Sequence, residues 1–507
     1  MAQGYLGFDN DTEMEVIGQE YFDHLASRSF FQEFEKDDDE NIISCQMHDI
    51  IHDFAQFLTK NEYFTVEINE GSEELVINTS NEKARHSMLT LYGGATFPIS
   101  ICSIKSLRSL LIDRTFPMYS LPDDVLPNLF GKLTSLRALK ISEKYRRLNL
   151  IIAFPAIPKE VKKLIHLKYL NLSDQDVEKL PETLCELYNL QTLDISWCRK
   201  LKELPEGMGK LINLRHLIND GTYSLSYMPK GIEKLTCLRT LSKFVSSSDG
   251  SKACSTLACL KDLKHLRGRL EITGLGNVTN VSEVKRMQIL SSKKSLFDLT
   301  LMFDKDGEGE RKKDDDELLL DALQPHPNLE KLGVYRYRGS TFHSDWIMSL
   351  TGLKELSLTC SGNCLYLSPL GKLPSLESLR IACSRVKKLV TGIESDGAFS
   401  SSTSAILFPK LKVLKFSSIS EWEEWDYGNT ILPCLASLSI KYCRKLRALP
   451  DGLLQGAKNL QHLKIYKSDL LGERYRKGTG EDWQKISHIP NIKFNRSYLQ
   501  GGPLPLH

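Results

Sequence analysis

The sequence predicts an α/β solenoid, a curved parallel sheet with an irregular or helical convex side, set behind a short module of different character. Three observations carry this expectation. Leucines open successive segments at Leu167, Leu190, Leu214 and Leu238, in steps of 23, 24 and 24 residues. The beat returns at Leu329, Leu353 and Leu376, and again at Leu411, Leu435 and Leu460. Several of these leucines head an L-x-x-L-x-L run, as in Leu190-Gln191-Thr192-Leu193-Asp194-Ile195. At this period such a head is the signature of a leucine-rich-repeat solenoid. One repeat cannot bury its own leucines, so neighbours stack and present a long concave surface to other macromolecules.

Bulk properties exclude little else. The chain of 507 residues is 41% hydrophobic with a formal net charge of +2, which gives no global attraction to nucleic acid or membrane. Its 12 cysteines show no framework of pairs and read as reduced thiols. Met1-Ala2-Gln3-Gly4-Tyr5-Leu6 has neither the basic start nor the apolar core of a signal peptide. No uncharged apolar run approaches the ~18 residues of a membrane span. A cytoplasmic protein without a transmembrane segment is expected, with the nucleus also open to it.

The first eighty residues differ. Met14, Ile17, Tyr21 and Leu25 recur at helical spacing, with Phe22 widening the stripe. The apolar run from Phe30 to Phe34, the charged turn Glu35 to Asn41 and the run Ile42 to Cys45 predict a two-stranded wing. A second helix is expected from near Met47, with Ile51, Phe54, Ala55 and Leu58 on its buried face. Helix, wing and helix form part of a winged-helix module. At the start of the second helix, His48 and His52 stand at i, i+4, as in the zinc-protease pattern H-E-x-x-H. Asp49 replaces the glutamate and no third ligand is placed downstream. The helix-start reading is therefore favoured, with aspartates at the positive end of the helix dipole and no metal site.

At these residues the chain resembles plant intracellular immune receptors of the coiled-coil, nucleotide-binding, leucine-rich-repeat type. Gly18 to Phe31 resembles that family's winged-helix segment, and Met47-His48-Asp49 matches its M-H-D motif. The resemblance implies that His48 is nucleotide-proximal, near the phosphates of an ADP, with Asp49 helping to set its loop. No G-x-x-x-x-G-K-[ST] loop occurs in the sequence, and Met1 to Leu6 resembles the middle of the family's winged helix. Against the family pattern, the coiled coil and nucleotide-binding core are missing. The expectation is no cofactor in this chain alone, ADP or ATP belonging to full-length relatives.

The domain organisation read this way is a partial winged helix over 1–70, a linker or solenoid cap over 71–100, the solenoid over 101–490 and a tail over 491–507. Within the solenoid, 246–327 and 391–405 lose the beat and read as irregular or loop-rich. Many repeats continue with Leu-Pro, as at Leu180-Pro181, Leu204-Pro205 and Leu449-Pro450. Proline fixes φ and lacks a donor, which suits the convex side and would spoil a strand. Gly339 to Trp346 and Gly478 to Trp483 also resemble the receptor family, so the resemblance covers nearly all of the chain.

In each strand the leucines point inward and alternate residues reach the concave face. The early repeats offer Asn171, Ser173, Asp174, Thr192, Asp194 and Trp197. The late repeats offer Lys331, Tyr335, Arg336, Arg380, Lys415, Lys441, Tyr442, Lys464, Tyr466 and Lys467. The face thus turns from mildly acidic to basic, with tyrosines interleaved. Arg and Tyr are enriched where partners dock, and a basic concavity steers acidic ones. Trp197, Lys331, Tyr335, Arg336, Arg380, Lys415, Lys441, Tyr442 and Lys464 are the candidate partner-binding residues. The expected partner is an acidic protein, a pathogen effector or host target, and contact with a nucleotide-binding domain in trans is a second. No stacking platform points to nucleic acid. The expected function is a non-enzymatic immune receptor fragment whose solenoid recognises a ligand and regulates an absent ADP/ATP switch. The alternative is a substrate-receptor subunit of a ubiquitin ligase, against which the wing and M-H-D motif argue.

Overall fold

A computed structural model describes residues 2–6, 14–36, 42–59, 62–71, 83–93, 95–114, 122–143, 156–247, 257–304, 313–342, 345–360, 366–367, 370–383, 388–390, 405–406, 408–426, 430–495 and 497–501. The chain forms two compact units, residues 1–225 with 229–238, and residues 226–228 with 239–507.

The first unit opens with helix α1 (Met14–Ser27), followed by the antiparallel strands β1 (Phe31–Lys36) and β2 (Ile42–Met47) and helix α2 (Asp49–Leu58). Phe22 of α1 stacks on Phe31 of the wing at 5.2 Å between ring centroids. The expected buried face of α2 is only half realised. Ile51 and Ala55 are partly covered, whereas Phe54 and Leu58 are exposed, with Phe57 beside them. Among the described residues no element covers that side, so the periodicity correctly marks an amphipathic helix but not its burial.

Seven parallel strands follow: β3 (Tyr63–Ile68), β4 (His86–Leu91), β5 (Ser109–Arg114), β6 (Ala138–Glu143), β7 (Tyr169–Asn171), β8 (Thr192–Asp194) and β9 (His216–Ile218). The sheet therefore starts at Tyr63, inside the stretch assigned to the winged helix. Its second strand lies inside 71–100, the stretch expected to be a linker or cap. The reason is visible at β4. Ala84 and Ser87, both buried, occupy the places where later repeats put leucines, Ser87 pairing in register with Leu110. The beat is kept in space but erased in the letters. Further on, Leu107, Leu136, Leu167, Leu190 and Leu214 form one fully buried stack, and Leu110, Leu139, Leu170, Leu193 and Leu217 another. Truncating any one of these to alanine would cost about 2–5 kcal/mol. On the convex side Pro181 and Pro205, at φ −71° and −56°, cap the 3₁₀ turns Glu182–Glu186 and Glu206–Lys210.

The second unit is built on an 11-stranded sheet. Its strands are β10 (Lys243–Val245), β11 (Arg267–Thr273), β12 (Ser295–Met302), β13 (Lys331–Tyr337), β14 (Glu355–Cys360) and β15 (Ser378–Cys383), then β16 (Val413–Ser417), β17 (Ser437–Lys441), β18 (His462–Tyr466), β19 (Asn491–Phe494) and β20 (Ser497–Gln500). All neighbours are parallel except β19 and β20. The stretch 246–327 is thus not a simple break in the solenoid, since β11 and β12 keep the ladder running. Its repeats are longer because true helices, Val281–Met287 and Lys313–Ala322, replace the short turns. The second helix falls in the stretch expected to be irregular or loop-rich and buries Leu319 and Leu320. The rest of the two expected loops, 248–256, 305–312 and 391–404, lies outside the described residues. Asn491–Phe494 and Ser497–Gln500 are strands within the stretch expected to be a tail, and β20 turns back antiparallel to cover the last parallel strand, a device that protects a sheet edge.

Two cysteines at the corners after the strands are packed into the core. Cys198 is buried with its Sγ 3.1 Å from the Leu172 carbonyl, and burial pushes its thiol up to about 12. Cys443 is likewise buried, and burial raises it to about 11. Cys259 departs from the expectation of reduced thiols, being disulfide-bonded.

Candidate recognition surface

The register of the second sheet sets concave residues side by side in rows. One row runs Thr300, Gly333, Ser357, Arg380, Lys415, Ser439, Lys464 and Lys493 across β12 to β19. The row beside it runs Asp298, Lys331, Glu355, Ser378, Val413, Ser437, His462 and Asn491. The two ends of the face differ in how their charges are handled. Toward the start, opposite charges neutralise each other across strands: Arg269 lies 3.8 Å from Asp298, and Lys331 lies 3.3 Å from Glu355.

Toward the end that pairing stops. Arg380, Lys415, Lys441 and Lys464 converge, and none of their side-chain cations has an ion-pair or hydrogen-bond partner among the described residues. Burial first, then repulsion from Arg380, Lys441 and Lys464, holds the Lys415 ammonium below its usual range, with Glu355 opposing weakly. Cations at the strand edges and on the turns are treated otherwise. Lys354 pairs with Glu330 at 2.8 Å, Lys412 with Glu377 at 2.8 Å and Lys445 with Glu421 at 2.5 Å, each one repeat away. Among the described residues these three cations outside the concavity are neutralised, and the four inside it are not.

The other candidate residues are placed differently. Lys331 faces the concavity but is held by Glu355. Tyr335 does too, and its ring lies so close over Gly333 that a Cβ there would meet it at 2.7 Å. Trp197 and Tyr442 lie past the ends of their strands, and Arg336 lies within β13 at the register shift between Val334 and Tyr337, which corrects their placement on the regular pleat. All three mark the corner, with φ of 61°, 57° and 57°. Asp174, Ser418 and Lys467 occupy the same corner at 61°, 58° and 47°, and Gly221 and Gly274 at 68° and 70°. The left-handed backbone turns the chain out of the strand while its N–H still bonds forward. Trp197 N donates to the Asp220 carbonyl at 2.6 Å and Tyr442 N to that of Tyr466 at 2.9 Å. Non-glycine residues rarely adopt such φ values, so alternation read from letters carries the pleat one residue too far. These side chains rim the surface.

In the first unit the polar concave residues are engaged in structure. Asn171 and Ser173 are buried, and Asn171 Nδ2 donates to Asp194 Oδ2 at 2.7 Å. Asp194 Oδ1 also accepts from the Ser196 amide at 3.0 Å. Trp197 belongs to this unit, its ring edge-on to Tyr223 at 6.2 Å and 5.7 Å from the Arg199 guanidinium.

One residue of the late face was missed. Lys493 extends the basic row, and its Nζ lies 4.8 Å from the ring of Tyr498. The signal was available, since Ile489 and Ile492 head a repeat and place Lys493 where Lys464 stands in the previous one. On the rim, Tyr442 and Tyr466 meet edge-on at 5.3 Å, and Lys467 lies over both rings at 5.5 and 5.7 Å.

The M-H-D motif has a local structural role. His48 is the N-cap of α2, its Nδ1 accepting from the Ile50 amide at 3.4 Å, and Asp49 is exposed in the first turn. His52 lies one turn on, against Gln56 at 3.1 Å and Asp53 at 3.6 Å.

Known proteins bear out the resemblance. The family described as "Leucine-rich repeat region" matches residues 156–495, and "Disease resistance protein Winged helix domain" matches 1–55. A putative disease resistance protein of Arabidopsis thaliana is 37% identical over 87% of this chain and 30% of its own length. The putative disease resistance RPP13-like protein 1 of the same plant is 34% identical over 93% of this chain and 44% of its own. The disease resistance protein RGA2 of Solanum bulbocastanum is 31% identical over 93% and 46% respectively. The chain thus spans less than half the length of these relatives. Among solved structures, a leucine-rich-repeat protein of Leptospira interrogans superposes with a TM-score of 0.41 at 17% identity, covering 78% of this chain and 92% of that one. No helix of the described residues is long and apolar enough to cross a membrane. With its repeat region and its winged-helix segment both matched, this chain belongs to the leucine-rich-repeat disease resistance proteins of plants.

Proposed function

We propose that the chain is a non-enzymatic recognition component of plant disease resistance, acting in the cytoplasm, and that the late concave face of its second unit binds an acidic protein ligand of pathogen or host origin. The unpaired convergence of Arg380, Lys415, Lys441 and Lys464 carries this reading. Packing like charges together costs free energy that a bound anion returns, and a cationic concavity raises the rate at which acidic partners arrive. The tyrosine and lysine rim at Tyr442, Tyr466 and Lys467 supplies rigid contact area of the kind that anchors interfaces. A twelve-residue polyglutamate peptide is a sufficient probe. Replacing Arg380, Lys415 and Lys464 with glutamate is expected to weaken its binding by about 30-fold or more and to flatten its salt dependence. Unchanged binding would mean that the face is merely solvated.

The nucleotide switch implied by the M-H-D resemblance is proposed to lie outside these 507 residues. A phosphate cradle needs converging backbone N–H groups and a lysine. His48 has one ring nitrogen engaged in capping α2, and the sequence holds no phosphate-binding loop. Calorimetry of the purified chain with ADP is expected to detect no micromolar site. Such a site, lost in His48→Ala, would overturn this part of the reading.

A further inference from the structure

Within the basic face one position stands apart. Ser439 lies between Lys415 and Lys464 in the same row, and Lys441 follows it two residues on, on the same side of β17. Adjacent strands are about 4.8 Å apart, so the two flanking lysines rise close on either side of a short side chain. Ser439 is only 3% exposed, which makes it the floor of a notch whose walls are ammonium-bearing stems. Its hydroxyl has no hydrogen-bond partner among the described residues.

Among the described residues the late rows carry no negative charge. The concave residues of β15 to β19 are Ser378, Arg380 and Ala382; Val413, Lys415 and Ser417; Ser437, Ser439 and Lys441; His462, Lys464 and Tyr466; Asn491 and Lys493. None is a carboxylate, and Glu355 on β14 is the nearest one in the rows. A carboxylate ligand would bring one charge and two oxygens to this notch. A phosphate monoester brings about −1.5 to −2 and three strong acceptor oxygens. The donor set matches the second better: the ammonium groups of Lys415, Lys441 and Lys464 around the opening, the Ser439 hydroxyl beneath, and the Arg380 guanidinium one strand beyond Lys415 to take a flanking anionic group.

We propose that the notch over Ser439 is a phosphoryl subsite, so that the ligand read by this face is a phosphorylated protein segment. This rests on the recognition role proposed above and adds the chemical class of its ligand. The probe is a nine-residue Gly/Ala peptide with a central phosphoserine, compared by fluorescence anisotropy with the serine and glutamate versions. The phosphopeptide is expected to bind about tenfold more tightly than the glutamate version, as a doubly charged, three-oxygen acceptor should among charge-assisted donors. Its affinity should fall between pH 7.5 and 5.5 as the phosphate takes up its second proton, near pH ~6, while that of the glutamate peptide should not. Ser439→Ala should weaken the phosphopeptide about threefold, and Lys415→Gln with Lys464→Gln should remove most of its binding. Circular dichroism would report whether each variant is folded, and Ser439→Ala is small enough to keep the fold if the double variant does not. Equal binding of glutamate and phosphoserine peptides would overturn the phosphoryl subsite and leave the acidic-ligand reading standing. Binding of neither would overturn both. Inorganic phosphate competing as strongly as the phosphopeptide would show that the notch takes the free ion, which also overturns the proposal.

Discussion

Glu15 of α1 and Arg215 at the edge of β9, 200 residues apart in the chain, form a two-pronged ion pair: Arg215 Nε and Nη2 each lie 2.6 Å from a Glu15 carboxylate oxygen. His216 Nε2 adds a third contact at 3.2 Å. The N-terminal segment makes two further ties to the same sheet, Gln3 Nε2 donating to Ser109 Oγ at 2.6 Å and Arg137 to the Gln3 carbonyl at 3.1 Å. No residue of α1 is itself buried, so its attachment depends on a few polar contacts.

Glu15→Gln should therefore loosen α1 while leaving the solenoid intact. Burial pushes the Glu15 carboxyl up, but the hydrogen bonds from His216 and Arg215 outweigh it and hold the group well below the usual carboxylate range. Its stabilisation is fully present above the unfolded value, about 4.3, and fades as pH falls from there toward the depressed folded value. Hydrogen exchange of the α1 amides should show the opening free energy lowered by about 2 kcal/mol at neutral pH in the variant. Wild-type protection should weaken in acid where the variant's does not. Identical exchange in both proteins would remove the clamp from the account.

The left-handed corners make a paired prediction. Ser418 holds φ 58° with a side chain, and Gly221 holds 68° without one. Ser418→Gly should stabilise the protein by about 0.5–1 kcal/mol by relieving that conformation. Gly221→Ala should do the opposite by about 2 kcal/mol, because its Cβ would also stand 2.7 Å from the Trp197 ring. Denaturant midpoints settle both, and shifts of the same sign would contradict the shared-corner reading.

Lys293 is fully buried, its ammonium donating to the Leu260 and Leu263 carbonyls at 2.7 and 2.8 Å. Burial lowers it from 10.5 to about 8. Between those two values the unfolded chain binds more protons than the folded one, so stability rises with pH across this window. The gain is on the order of 3 kcal/mol. Lys293→Met should abolish this alkaline rise in chemical unfolding curves, and a slope that survives the substitution belongs to other groups.

Thiol reactivity should follow burial. Cys237 is exposed, whereas Cys185 and Cys198 are buried, with thiols pushed up to about 12. Alkylation at pH 8 followed by peptide mass spectrometry should modify Cys237 within minutes and the other two only as fast as the protein opens. Rapid labelling of Cys198 in the folded chain would show the corner to be open.

Much of this was legible in the letters because the repeat writes its core in leucine. The steps from Leu167 to Leu238 imply stacked parallel strands, and Leu-Pro pairs mark the convex turns. The M-H-D segment could be placed at a helix start. Fifth-place cations such as Arg380, Lys415 and Lys464 could be assigned to one face. Ala84 and Ser87 broke the pattern, since a small residue can hold a core position when neighbouring repeats fill the space.

What the sequence by itself determined is therefore the period, the strand faces and the chemistry that each concave position carries. Only the tertiary structure decided which charges neutralise one another. Lys331 and Lys415 look alike in sequence, but the strand beside Lys331 presents Glu355, and those beside Lys415 present Arg380 and Ser439. Pairing across a sheet depends on the register of residues 24 to 35 positions away. Likewise Trp197 and Tyr442 left the face for its rim because a left-handed backbone at the corner satisfies the next repeat's hydrogen bonds. That is a property of the stack and not of any one repeat.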